Sequence, residues 1–156
     1  MVAAASGQRL TAAFVNALCP LGKAQNTVNT TFGSTASTTY TPTLASTGTC
    51  TLAFVAPASG AIEVFYTASI SPQASGRFGV ISVSLSGAAG TVAASDDGQA
   101  FNKTTTATVY DGTVSRRRIF TGLTPGAAGT ITMEHKVIGG TVNFNDRQLA
   151  WEPVPA

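Results

Sequence analysis

The sequence is poor in charged residues. Only 10% of its 156 residues are charged, whereas about a quarter is usual for soluble domains. Nine basic and seven acidic residues leave a net charge of +2, which excludes the dense positive surface that binding to nucleic acid requires. A chain of this length suits one domain with a sizeable core and a short appendage.

Long apolar runs are also missing. Each apolar stretch is interrupted by Ser, Thr, Gly or a charged residue well before the ~20 residues of a membrane-spanning helix. Residues 1–7 contain neither a charged segment nor an apolar run as long as that of a secretory signal. We therefore expect no signal peptide and no membrane insertion.

Few residues are suited to catalysis or metal binding. Cys19 and Cys50 are too few for a disulfide framework and lack metal-type spacing, although a bridge between them stays open. His135 alternates in phase with apolar residues, which is more typical of a packed histidine than of a general base. The stretch Asp96-Asp97-Gly98 lacks the spaced ligands of a calcium loop and is typical of a turn. Two carboxylates could converge as in a glycosidase, but nothing in the sequence indicates it. We expect no enzymatic activity, metal or cofactor.

Small and β-branched residues take the place of the missing charges, with 25 Ala and 24 Thr in the chain. Hydroxyl groups keep such a surface hydrated but give little repulsion between neighbouring molecules. The composition therefore favours a protein in a permanent assembly, where much of its surface is covered.

Alternating apolar residues predict an all-β fold, an antiparallel β-sandwich or jelly roll, without revealing the strand order. Ile81, Val83 and Leu85 alternate with serines. The dipeptide Asp111-Gly112 predicts a hairpin, and Thr124-Pro125-Gly126 predicts a type II turn. Further apolar faces are Cys50, Leu52, Phe54 and Ala56; Ile62, Val64 and Tyr66; and Ile131, Met133, His135 and Val137, while the hairpin strands are 104–110 and 114–121.

The N-terminal part has a different pattern. Leu10, Phe14 and Leu18 form one stripe of a short helix that ends before Pro20. Such a helix must dock on something, either its own domain or a partner. Residues 25–49 predict an extended arm with one or two edge strands, around 38–44. We assign residues 1–45 to this helix and attachment arm, and residues 46–156 to the sandwich.

The run Arg116-Arg117-Arg118 is the only cluster of charge. Because side chains alternate along a strand, Arg116 and Arg118 should share one face and Arg117 the other. They are either contacts to an anionic partner or solvated residues in ion pairs. The candidate attachment residues are Leu10, Phe14, Leu18, Arg116, Arg117 and Arg118.

Four aromatic residues could stack on sugars if a groove exposes them: Tyr66, Phe101, Tyr110 and Trp151. Trp151 follows Leu149 in phase, which fits a core position better.

The order of several turn and strand-end signatures resembles a known family. They are Ser6–Ala13 with Asn16–Leu18, Thr51–Gly60, Ala93–Asp97, Thr121–Gly126, and Gly139-Gly140-Thr141 through Arg147 to Glu152-Pro153. This succession resembles the small β-rich virion proteins of tailed phages of actinobacteria, of the minor tail or capsid decoration type.

The resemblance implies a non-enzymatic structural component on the exterior of the virion, assembled as a symmetric oligomer, with a homotrimer expected. Its partners would be copies of itself and other capsid or tail proteins. The alternative is a carbohydrate-binding adhesion module for a glycan of the host surface.

Overall fold

A computed structural model describes residues 32–103 and 111–155 of the chain. The described chain is all-β, as predicted, with a single turn of 3-10 helix at Asp96–Gly98. The predicted helix with Leu10, Phe14 and Leu18 lies outside the described residues, as do Cys19 and the predicted strand 104–110. The strands are β1 (Gly33–Thr35), β2 (Thr51–Val55), β3 (Ile62–Pro72), β4 (Phe78–Gly87), β5 (Ala100–Lys103), β6 (Gly112–Phe120), β7 (Ala128–Ile138) and β8 (Val142–Pro153).

The strands form two antiparallel four-stranded sheets. The first sheet has the order β1-β8-β3-β6 and the second β2-β7-β4-β5. Thus β1 pairs with β8, β2 with β7, β3 with β6 and β4 with β5. The chain follows the path of one long hairpin, rolled into two layers with its tip between β4 and β5. This is the strand order of an eight-stranded jelly roll.

The core lies between the two sheets and contains the predicted apolar faces. Side chains at alternate positions of β2, β3, β4 and β7 are almost fully buried, because one face of each strand is turned to the other sheet. Each fully buried aliphatic or aromatic side chain contributes roughly 1.5–3 kcal/mol relative to exposure. The largest are Tyr66, Phe144, Ile62, Ile70, Ile81, Leu85, Ile131, Met133 and Leu149.

Two glycine turns connect strands as the sequence indicates. The amide of Ala127 donates to the Thr124 carbonyl at 3.1 Å, and Gly126 has a φ of 77°, as the third residue of a type II turn requires. Gly139 and Gly140 both have positive φ angles, 85° and 106°. Their turn leads from β7 in the second sheet to β8 in the first.

A β-bulge in β8 reverses the direction of its side chains. The pairing of β8 with β3 shifts between Thr67 and Ser69, so that both Asp146 and Arg147 lie opposite Ala68. Asp146 is the extra residue of the bulge, and its backbone has a positive φ of 48°. Because of this shift, Arg147 faces the core and is 0% exposed.

Between residues 32 and 49 the expected extended arm is only partly β. One edge strand, β1, is present, but around 38–44 the pairing is limited to single-residue bridges, from Thr41 to His135 and from Leu44 to Thr47. Pro42 has no N–H and cannot continue that ladder. Leu44 is 2% exposed within the core, so part of the predicted arm packs on the sandwich. The division at residue 45 stays a prediction, because residues 1–31 lie outside the described part.

Candidate interaction surface

The three arginines lie on the edge strand β6 and alternate as predicted. Arg116 and Arg118 point toward the 3-10 turn, where both contact its residues. Arg117 points to the opposite, outer face of the first sheet, where it meets Glu63. The alternation therefore separates the run into two different environments.

Arg116 and Tyr66 hold the 3-10 turn in place. Arg116 Nη2 donates to the Asp97 carbonyl at 2.9 Å and Nη1 to the Gln99 carbonyl at 2.7 Å. The Tyr66 hydroxyl donates to the Gly98 carbonyl between them. Carbonyl groups at the end of a helical turn have no partner within it, and these two side chains supply one to each. Arg116 is thus already engaged inside its own domain.

Arg118 is also packed against the protein. Its guanidinium carbon lies 4.8 Å from the centre of the Phe120 ring. A Cβ added to Gly98 would lie 2.8 Å from Arg118 Cδ, which shows how closely the turn approaches this side chain. Of the three arginines, Arg117 is the one whose head group faces solvent on the outer side.

The outer face of the first sheet contains a groove of about 620 Å³, which we call the outer groove. It spans β6, β3 and β8. Arg117 and Ala150 lie on either side of Phe65, and Ser115 and Gln148 on either side of Thr67. The side chains that line it are Phe65, Thr67, Ser115, Arg117, Gln148 and Ala150.

The outer groove combines apolar surface with one ion pair. Arg117 Nε lies 3.4 Å from Glu63 Oε1, and the Arg117 side chain is 71% exposed. A pair so open to water contributes little to stability, typically below about 1 kcal/mol. Ile119 lies directly opposite Glu63 and is 55% exposed. An arginine beside an aromatic and an exposed aliphatic residue is the composition enriched in protein interfaces.

The middle of the outer face of the second sheet, at β4 and β7, is covered by the chain's own loops, while Val55 on β2 and Phe101 on β5 stay exposed. Tyr40 lies over it, with its hydroxyl donating to Asp96 Oδ1 at 2.8 Å and the Lys136 ammonium 4.6 Å from its ring centre. Ser82 alternates with the core residues Ile81 and Val83 and therefore lies on the outer face, yet it is 0% exposed. Its hydroxyl donates to the Ser95 carbonyl at 3.0 Å. The loop that carries Ser95 therefore covers Ser82 in the middle of this face.

Charge at this covered face is balanced. Hydrogen bonds from Lys136 and then from Tyr40 lower the pKa of Asp96 below its ordinary value. Burial, followed by the contact with Asp96, raises the pKa of the Tyr40 hydroxyl above its ordinary value. Asp96 thus stays ionised and Tyr40 stays protonated at neutral pH.

The sequence's candidate aromatic residues do not form a common surface. Tyr66 is 1% exposed, and Trp151 packs edge-on against Phe54 with ring centres 5.9 Å apart. Phe101 is 54% exposed on β5, and Tyr110 lies outside the described residues. The aromatic residue that lines the outer groove is Phe65, which sequence analysis missed, although its alternation with Val64 and Tyr66 already placed it on the outer face.

Two of the carboxylates that could act in catalysis, Glu63 and Asp96, lie on opposite sides of the sandwich, whereas Glu152 lies directly opposite Glu63 on the neighbouring strand β8. Glu63 faces the outer groove on the first sheet, and Asp96 is bound to Tyr40 and Lys136 at the second. His135 is 0% exposed, and burial followed by the nearby charge of Arg147 lowers its pKa to about 3. In the described ranges, no group of at least three His, Cys, Asp or Glu residues could hold a metal ion.

Comparisons with known proteins add no relative. No family model matches the chain, and no curated protein matches it either. Within residues 32–103 and 111–155, no helix has the length and apolar character needed to cross a membrane. A functional conclusion therefore depends on the geometry described above.

Proposed function

We propose that the protein is a non-enzymatic structural component on the exterior of a tailed-phage virion, assembled as a symmetric homotrimer through the outer groove. The observation that carries this proposal is the contrast between that groove and the covered second sheet. Phe65, Arg117 and Ile119 form a mixed apolar and charged surface, whereas the middle of the other outer face is covered by the chain's own loops.

The fold supports the proposal by analogy. Eight-stranded jelly rolls build many viral capsids, and also lectins. Fold alone does not define function, so the analogy has to be joined to the surface. A low charge content favours permanent contact between copies, and closed symmetry would cover the same patch on every subunit.

Immunogold electron microscopy of purified phage tests the location. An antibody against this protein should label the particle, over the head for a capsid decoration protein or at the tail for a minor tail protein. An antibody raised against an internal virion protein is the control for intact particles. Intact particles that carry no label would contradict the proposal.

A second candidate function, carbohydrate binding for host adhesion, is favoured by Phe65 in the outer groove. An aromatic ring flanked by polar side chains is suited to stacking on a sugar. Phe65→Ala should abolish binding to host cells if the groove holds a glycan, whereas Phe101→Ala, an exposed aromatic residue on the second sheet, should not. Equal binding by both variants and the parent would exclude this candidate. Trp151→Ala is unsuited to the test, because Trp151 packs on Phe54.

The predicted attachment role of Leu10, Phe14 and Leu18 remains part of this proposal. In the helix that the sequence predicts, they would form the apolar stripe that contacts the capsid or tail. Among the predicted arginines, Arg117 is the one that we assign to the interface, because Arg116 is hydrogen-bonded to the 3-10 turn and Arg118 packs on Phe120.

A further inference from the structure

A buried arginine lies between the two sheets, on the inner side of the first sheet, whereas the outer groove lies on its outer face. Arg147 is 0% exposed, since the bulge of β8 turns it inward and leaves Asp146, the adjacent carboxylate, outside the core. A guanidinium does not release its proton in proteins, so the core of this domain contains a full positive charge.

Within residues 32–103 and 111–155, no carboxylate forms an ion pair with Arg147. All seven Asp and Glu residues of the sequence lie in the described ranges, where the ion pairs are Arg117 with Glu63 and Lys136 with Asp96. The thiol of Cys50 does not compensate it either, because burial raises the pKa of Cys50 to about 11 despite the nearby Arg147. A buried charge without a partner is strongly unfavourable, which indicates that another group belongs there.

The hydrogen bonds of Arg147 are incomplete. Its Nη2 donates to Thr47 Oγ1 and to the Gly48 carbonyl, both at 2.9 Å. Its Nε and Nη1 are buried and have no hydrogen-bond partner in the described structure. These N–H groups point into the core, where each unsatisfied donor costs about 1–3 kcal/mol.

Burial, followed by the positive charge of Arg147, lowers the pKa of His135. The Nε2 atom of His135 is also buried and has no hydrogen-bond partner in the described structure. Its Nδ1 lies 3.3 Å from the Thr41 carbonyl, which can only accept, so the proton sits on Nδ1. Neutral His135 therefore adds no charge, and the site has a net charge of one guanidinium.

We propose that this site binds a small monovalent anion, with chloride as the probe, at the Nε–H and Nη1–H groups of Arg147. A water molecule would satisfy donors but leave the charge uncompensated, whereas an anion does both. The site is separate from the outer groove and from any assembly through it. A failure of the anion proposal therefore does not contradict the proposed assembly, and the reverse also holds.

Chemical unfolding in two salts tests the proposal. Sodium chloride is exchanged for sodium gluconate at constant ionic strength, gluconate being too large for the core. Above the dissociation constant, the unfolding equilibrium constant of the parent should fall about tenfold for each tenfold rise in chloride. Arg147→Met should lose this dependence. Arg117→Met, which removes an arginine that is 71% exposed, should keep it.

A bromide-soaked crystal of the parent gives a second readout that does not depend on the variant's folding. An anomalous peak beside Arg147 Nε or Nη1 supports the site. Equal unfolding constants in chloride and gluconate would overturn it, and so would bromide peaks confined to the surface, which indicate an adventitious ion only.

Discussion

The two outer faces of this jelly roll differ in what covers them. On the second sheet, Tyr40 and the loop around Ser95 bury Ser82, which alternation places on the outside. On the first sheet, Phe65 and Arg117 line a groove of about 620 Å³ in the described structure. In the sequence, apolar and outward-facing residues alternate along β3 of the first sheet and along β4 of the second. The difference teaches that the chain's own loops, rather than the strands, determine which part of a sheet's outer face stays exposed.

The largest expected effect is a loss of unfolding free energy when one aromatic residue on each outer face is replaced by alanine. Tyr40→Ala should lower the free energy of unfolding by about 2 kcal/mol, because it removes ring packing, the hydrogen bond to Asp96 and the contact with Lys136. Phe65→Ala in the outer groove should cost about half of that, roughly 1 kcal/mol. Urea unfolding of both variants measures the difference, and equal losses would contradict the description of one face as covered.

The second prediction compares two neighbours of the arginine run. Arg116→Met should destabilise the protein by about 1 kcal/mol, since two backbone carbonyls of the 3-10 turn lose their donors. Arg117→Met should stay within about 0.5 kcal/mol, because its pair with Glu63 is exposed. Thermal unfolding at matched pH separates the two. A larger loss for Arg117 would reverse the assignment of roles.

The third prediction concerns acid pH and has the smallest effect. The pKa of Asp96 is lowered by Lys136 and Tyr40 in the folded protein, so its contribution is complete above the ordinary pKa of 3.8 and is lost as the pH falls through the lower folded value. Asp96→Asn should therefore flatten the stability profile below about pH 4. Urea unfolding of the parent and of Asp96→Asn over the same pH range measures the effect, and a variant profile as steep as the parent's would contradict the assignment.

Alternation was sufficient to predict which strand faces form the core. The buried faces of β2, β3, β4 and β7 are those that the sequence indicates, because burial on one side imposes a period of two. The pairing of β1 with β8 or β2 with β7 was not predictable, since contacts between residues so distant in sequence leave no local signal.

The candidate surface was predictable only in part. The opposite directions of Arg116 and Arg117 follow from strand geometry, but the attachment of Arg116 to the 3-10 turn depends on a loop from another part of the chain. The bulge did leave a signal. Phe144 and Leu149 lie an odd number of residues apart, yet both are buried, which requires an extra residue between them.

Sedimentation equilibrium of the full chain tests the central claim most directly, namely that the outer groove joins copies of the protein. The parent should sediment at three times its chain mass of 15.8 kDa. Arg117→Glu, which replaces the ion pair with Glu63 by a repulsion between like charges, should dissociate the assembly, while Val55→Glu, at a residue 55% exposed on the second sheet, should leave it intact. A monomeric parent, or an assembly that survives Arg117→Glu and is lost with Val55→Glu, would contradict the claim.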